Sequence, residues 1–304
     1  MKEYEVVIIG GGPAGLTAGL YTARARLKCL LIEKGVTGGM ITYASQVDNF
    51  PGFPDGISGV DLTGLMEQQA RKYGLEIIST EVTGIELEGE RKVIATTGGD
   101  FTAKAVIIAS GSERQKLGIP GEDELTGRGV SSCAICDGFF FTDKPVAVAG
   151  GGNAAINEAL DLTKFASRVT VIHRRGELRA TRVLQEKALA DPKIDFLWNT
   201  VIEEIEGKDA VKQLKLRNSL TGEKSALELA GIFISVGLKP STDFVKGLLA
   251  LDEKGYIITN ERMETEIPGI LAAGDVRCDS ARQTITAAGD GATAAIYAEG
   301  FLSG

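Results

Sequence analysis

This sequence predicts an α/β protein in which one domain is threaded into another, and three observations predict it. A glycine-rich turn between an apolar run and a helical segment occurs twice, at Gly10-Gly11-Gly12-Pro13-Ala14-Gly15 and at Gly150-Gly151-Gly152-Asn153-Ala154-Ala155. A second apolar run follows each helix, so both units read strand, turn, helix, strand, the pattern that binds a dinucleotide. The second unit lies mid-chain between two Gly/Pro-containing crossings, Leu117-Gly118-Ile119-Pro120-Gly121 and Gly237-Leu238-Lys239-Pro240-Ser241. The expected fold is therefore two Rossmann-like (three-layer ββα) dinucleotide-binding domains, the second inserted in the first. Residues 1–115 with 241–304 form the outer domain, and residues 116–240 the insert.

Each element has its own signal. Tyr4–Ile9 is a short apolar run of strand length, and an Ala-rich helix follows to about Ala25. A second strand, Lys28–Ile32, ends at Glu33. Asp61–Tyr73 has the spacing of an amphipathic helix. Glu76–Ile78, Glu81–Leu87 and Lys92–Thr96 read as short strands, and Ala105–Ala109 as a buried strand ending in Ser110-Gly111. In the insert, Val146–Ala149 is a strand, its helix runs to about Phe165, and Val169–Ile172 ends at His173. Gly231–Val236 is an apolar strand before the second crossing.

Composition narrows the function. Of 304 residues, 43% are hydrophobic and 24% charged, a soluble globular balance with enough core for two domains. The net charge of −8 argues against nucleic acid, whose phosphates need a basic footprint. No apolar stretch approaches the roughly 20 residues that span a bilayer, and the N-terminal apolar run is too short for a signal peptide. The expected compartment is the cytoplasm, with no membrane partner.

The two turns differ in what they bind. Gly10, Gly12 and Gly15, with Pro13 and Ala14, let backbone amides approach a pyrophosphate at a helix N-terminus, and Gly150, Gly152, Asn153 and Ala155 do the same. Glu33 follows Gly15 at the same spacing as His173 follows Ala155. The acid at Glu33 accepts hydrogen bonds from a ribose diol, as in FAD or NAD. At the second position stand His173, Arg174 and Arg175, with Arg179 beyond; guanidinium groups bind a 2′-phosphate that an acid would repel. The second site is expected to hold NADPH.

Cys133-Ala134-Ile135-Cys136-Asp137 precedes the second strand unit. A zinc site needs four ligands, and the remaining Cys29, Cys278 and His173 are scattered and unpaired in sequence, so no metal is expected. A buried inert pair is the second reading. A redox dithiol fits best. Reducing a disulfide to a thiol and a thiolate takes up one proton, and Asp137 is placed to carry it if burial raises its pKa. Its bland reading is a turn residue before Gly138.

With these motifs assembled, the chain resembles the low-molecular-weight thioredoxin reductases of bacterial and archaeal type, class II pyridine nucleotide-disulfide oxidoreductases. The likeness runs nearly end to end. Beyond the features above it rests on Gly38-Gly39, Val47-Asp48-Asn49-Phe50-Pro51-Gly52, Leu117-Gly118-Ile119-Pro120-Gly121-Glu122, and Gly127-Arg128-Gly129-Val130-Ser131. Pro268-Gly269-Ile270-Leu271-Ala272-Ala273-Gly274-Asp275-Val276, Arg282-Gln283 and Thr286-Ala287-Ala288-Gly289 complete it.

The resemblance implies FAD held by the first and last segments, with Gly39, Asn49, Ala109, Gly111 and Gly274 lining it. Asp275 would lie on the ribityl chain, Arg282 and Gln283 near the flavin, and the helix from about Gln283 would aim its positive end at the ring. It implies that Cys136 lies against the flavin, that electrons pass from NADPH through FAD to Cys133–Cys136 and then to thioredoxin or a thioredoxin-like protein, and that the domains rotate about the crossings between the two half-reactions. It also implies a homodimer. Four positions depart from the pattern: Met40 for a glutamine, Ala281 for an aromatic residue, Ala154 for a small hydroxyl residue and Asn157 for an acid. Cys29 reads as core, and Cys278 as a structural or incidental thiol. The alternatives are a same-fold flavoprotein disulfide reductase with another donor (NADH or a reduced carrier) or another client, a disulfide-forming oxidase, and a redox sensor without turnover. Both cysteines and both nucleotide turns are intact, against the last.

Overall fold

A computed structural model describes every residue except Ser45 and, at Cys136, the backbone alone. The chain divides into two units, Met1–Glu113 with Lys239–Gly304, and Arg114–Leu238.

In the first unit the opening apolar run forms β1 (Lys2–Ile9), the glycine turn leads into α1 (Pro13–Arg24), and β2 (Cys29–Glu33) returns parallel to β1. Pro13 starts the helix at no loss, since the N–H it lacks has no intrahelical partner at that position. α2 (Gly59–Lys72) begins two residues ahead of the expected Asp61, because Ser58 Oγ caps it by accepting the Asp61 N–H at 3.0 Å. Then come β3 (Glu76–Ser79), the hairpin of β4 (Val82–Glu88) and β5 (Arg91–Thr96), and β6 (Phe101–Ile108). β6 is longer than its apolar run because its first residues pair antiparallel with β5. The sheet order is β3-β2-β1-β6-β5-β4. Alternate residues face opposite cores: Val6, Ile8 and Ile107 one, Val7, Ile9 and Ile108 the other. Burial on both faces is why these strands read as unbroken apolar runs.

β7 (Ser112–Arg114) leads into the second unit. There β8 (Val130–Ser131), the single turn α3 (Ala134–Asp137), β9 (Pro145–Ala149), α4 (Asn153–Leu162), β10 (Arg168–Ile172), α5 (Arg182–Ala190) and β11 (Ile194–Leu197) follow in order. β12 (Thr200–Gly207), β13 (Val211–Asn218) and β14 (Lys224–Glu228) form an antiparallel sheet, and β15 (Gly231–Ile234) returns to the parallel one. That parallel sheet runs β11-β10-β9-β15-β8. Val146, Val148, Ile156 and Phe233 lie in one core, and Ala147, Ile172, Leu214 and Ile232 in another.

β16 (Leu238–Pro240) brings the chain back beside β7. Within the second unit the Gln115 N–H donates to the Gly237 carbonyl at 2.9 Å; within the first, the Ser241 N–H donates to the Gly111 carbonyl at 3.0 Å. β17 (Ile270–Ala272) then pairs with the second half of β6, and α6 (Thr284–Ser303) packs on α1. Gly291 of α6 comes so close that any Cβ there would strike the Ala14 carbonyl.

Candidate functional site

The first unit gathers one cradle. Gly10 turns with φ +107°, and a side chain on it would collide with the Ala109 carbonyl, so the strand-to-helix turn requires glycine. Gly12 is the residue before α1, and no side chain caps that helix. The first-turn amides are left for an anion, and the helix dipole favours one. Pro13 and Ala14 begin the helix, and Gly15 packs on the Gly10 carbonyl rather than facing the cradle. Glu33 stands at the end of β2 and accepts the Gly11 N–H at 2.6 Å and the Gly35 N–H at 2.9 Å. Each carboxylate oxygen keeps a lone pair for a hydroxyl.

Of the residues suggested by family likeness, Gly39, Gly274 and Ala109 pack against the same turn, and others join one another. Gly39 lies beside Gly12, and Gly274 beside Ala14. Ala109 is tied by its N–H to the Ile9 carbonyl, and Gly111 follows it. Asn49 Nδ2 donates to Gln283 Oε1 at 3.0 Å, joining two motifs 234 positions apart. Arg282 holds a left-handed backbone (φ 55°) with its guanidinium 4.9 Å from the Tyr256 ring centroid. Gln283 is the residue before α6, and its N–H donates to Thr286 Oγ1 at 3.3 Å. Burial pushes the Asp275 carboxyl above its ordinary range, while the Ser280 hydroxyl and the Arg282 charge draw it back.

The second unit holds a cavity of about 340 Å³ lined by Gly150, Gly151, His173, Arg174 and Arg179 among others. α4 starts after Gly152, again without a side-chain cap. Arg174 and Arg179 are exposed and make no ion pair among the described residues, so both guanidinium groups are available to an anionic ligand. The Arg179 N–H donates to the Gly151 carbonyl at 2.7 Å, which fixes the second arginine to the glycine turn. His173 is not part of an exposed basic patch: it is 4% exposed and its ring lies against Gly151, which has no room for a side chain. Burial and then the Arg179 charge hold its imidazole below the ordinary value, hence neutral at pH 7. Its Nε2 is buried without a hydrogen-bond partner among the described residues. Asn153 and Ala155 serve the scaffold. Asn153 Oδ1 accepts the Thr181 N–H at 2.8 Å, and Ala155 is packed against Gly150. Arg175 is exposed and lies outside the cavity wall.

Cys133 lies two residues beyond the end of β8, half-buried and disulfide-bonded. The side chain of Cys136 lies outside the described residues. The Asp137 N–H donates to the Cys133 carbonyl at 3.1 Å, closing the turn. Ser131 Oγ donates to Asp137 Oδ2 at 2.6 Å and accepts the Cys133 N–H at 3.1 Å. Phe139 and Phe140, 70% and 69% exposed, follow at once and meet edge-on. Cys29 is buried in the first core and Cys278 is half-buried; both are free thiols.

Several residues escaped the sequence reading. Arg277 grips Asp290 of α6 through Nε–Oδ2 at 2.7 Å and Nη2–Oδ1 at 3.0 Å, and Asp290 Oδ2 also accepts the Gly274 N–H, so the pair fixes the Gly274-Asp275 turn. An acid flanked by glycines in the middle of an Ala-rich helix was the available signal. Glu158 of α4, 8% exposed, pairs with Arg114, and its Oε2 has no partner among the described residues. Nothing in the spacing announces that pair.

A family profile described as pyridine nucleotide-disulphide oxidoreductase matches residues 4–292. A thioredoxin reductase of Streptomyces coelicolor is 50% identical over 302 residues, covering 98% of this chain and 94% of its own. One of Listeria innocua is 46% identical over 302 residues, covering 99% and 94%. A crystal structure of Lactococcus lactis thioredoxin reductase matches with a TM-score of 0.95 at 46% identity, covering 99% of both chains.

Proposed function

The chain belongs to the pyridine nucleotide-disulphide oxidoreductase family, and from that premise we propose that it is a thioredoxin-disulfide reductase drawing on NADPH and FAD. The observation that carries this reading is that one folded unit holds both the arginine-lined cavity and the disulfide of Cys133. Bound FAD supplies the relay between a hydride donor and a disulfide. Gly10, Gly12, Glu33, Asn49, Asp275, Arg282 and Gln283 are the groups that would hold it. Arg174 and Arg179, with the amides after Gly152, would hold the phosphates of NADPH.

The chain's own chemistry is the Cys133–Cys136 disulfide. It takes up two electrons and one proton to give a thiol and a thiolate, and Asp137 at the end of that turn carries the proton. The thiolate then opens the client's disulfide by exchange. Phe139 and Phe140 give the turn an exposed apolar rim, which suits a protein client better than a small thiol. A homodimer and a cytoplasmic location belong to the same proposal. Among the described residues no helix is long and apolar enough to cross a membrane.

Anaerobic titration of the FAD-loaded protein with NADPH and separately with NADH, followed by addition of oxidised thioredoxin, tests donor and client together. NADPH should bleach the flavin at far lower concentration than NADH, and thioredoxin should restore it. Arg174→Ala/Arg179→Ala should raise KM for NADPH by about 10- to 100-fold and leave that for NADH nearly unchanged. Bleaching by dithionite but by neither nucleotide would sink the NADPH assignment.

A further inference from the structure

We propose that Ser131 is a positioning residue for proton transfer at the cysteine turn, acting through Asp137; this rests on the reading of Asp137 as the proton carrier. The Ser131 hydroxyl has a single proton, and it points at Asp137 Oδ2, 2.6 Å away. One of its two lone pairs accepts the Cys133 N–H at 3.1 Å, and the two bonds together set the hydroxyl's direction. Ser131 ends β8, whose Val130 and Ser131 pair with Ile232 and Phe233 of the parallel sheet, so the relay is anchored to a sheet rather than to the turn. The Asp137 N–H closes back on the Cys133 carbonyl. One hydroxyl thus couples the backbone of the first cysteine to the carboxylate after the second.

The exchange shows why that coupling matters. The enzyme thiolate forms an S–S bond to the client as the client's own S–S bond breaks and a client thiolate departs. The second enzyme sulfur then forms the Cys133–Cys136 bond, the mixed disulfide breaks, and the client leaves reduced. Two electrons pass from the enzyme sulfurs to the client sulfurs. The one proton on the second enzyme thiol must reach a client thiolate, and a carboxylate held in one orientation shortens that transfer.

The test compares Ser131→Ala, Ser131→Thr, Asp137→Asn and the Ser131→Ala/Asp137→Asn double variant in the full FAD-loaded chain, with Tm as the folding control. Single-turnover reoxidation of the dithiol by oxidised thioredoxin is followed by acid quench and thiol counting, and steady-state kcat and KM are measured beside it. Ser131→Ala should slow reoxidation and kcat by about tenfold with KM for thioredoxin unchanged. Ser131→Thr, which keeps the hydroxyl and suits a strand, should restore the rate. The double variant should be no slower than Asp137→Asn alone, because the serine acts through the carboxylate. Multiplying effects in the double variant, or an unaffected Ser131→Ala beside an impaired Asp137→Asn, would overturn the serine's role while leaving the carboxylate's standing. An unimpaired Asp137→Asn would remove both.

Discussion

Glu158 holds a carboxylate that its surroundings make hard to ionise. Burial raises its pKa to about 7, the Arg114 charge opposes the shift, and Asp161 adds to it. The ordinary value is 4.5, so the folded state holds the proton more tightly than the unfolded chain does. Its contribution to stability is therefore complete below pH 4.5, declines as pH rises toward 7, and is gone above. The full span is worth about 3 kcal/mol as an upper figure. Glu158→Gln should flatten that segment of the Tm-against-pH curve and raise Tm at pH 8. An unchanged slope between pH 5 and 7 would show that the desolvation is relieved by water. The short range of the effect explains why no sequence pattern betrayed it: a charged residue on a helix is usually solvated, and only the packing of α4 decides otherwise.

The contact of α6 on α1 depends on a missing side chain. Gly291→Ala places a methyl group against the Ala14 carbonyl, and backbone cannot move aside as a flexible side chain can. The expected loss is about 2 kcal/mol, read as a lowered Tm in calorimetry, with weaker flavin retention because Ala14 begins the cradle. An unaltered Tm would mean that the helices slide apart freely. Elements of this kind also mark where the sequence could be read. Both strand-turn-helix-strand units were legible because buried parallel strands are unbroken apolar runs and Gly10, Gly15, Gly150 and Gly151 leave no room for a side chain. β12, β13 and β14 were not. Their outward faces carry Glu203, Glu204, Glu206, Lys215 and Arg217 in cross-strand pairs, which dilute the alternation to a polar average. α5 escaped for a related reason: only Ala188 is buried along it, so there is too little apolar stripe to detect.

Across the whole molecule, each unit has its own pair of cores and its own candidate ligand groups. The insert begins and ends at neighbouring points, as the Gln115–Gly237 hydrogen bond shows. Residues 114–238 alone should melt cooperatively and retain adenosine 2′,5′-bisphosphate in the arginine cavity. A gradual melt, or no retention by a folded fragment, would show that the unit leans on the rest of the chain. The site was legible to the same extent. In the first unit Gly39, Ala109 and Gly274 pack against the glycine turn, and Asn49 and Gln283, far apart in sequence, bond to each other. In the second, Asn153, Ala155 and Arg175 proved to support or flank the cavity, because spacing fixes where a residue stands on an element but not which way its side chain faces.

Because β17 and α6 come last, the ribosome releases the insert before it releases the parts that finish the outer unit. The nascent chain carries β1, α1 and β6 with one sheet position and one helix face bare while residues 114–238 are already complete. A force-sensitive arrest sequence placed along the gene should therefore register the insert's folding first and the outer unit's only once α6 has emerged. The outer half of this protein is begun first and closed last, and its exposed apolar face must be kept from other chains throughout translation of the insert.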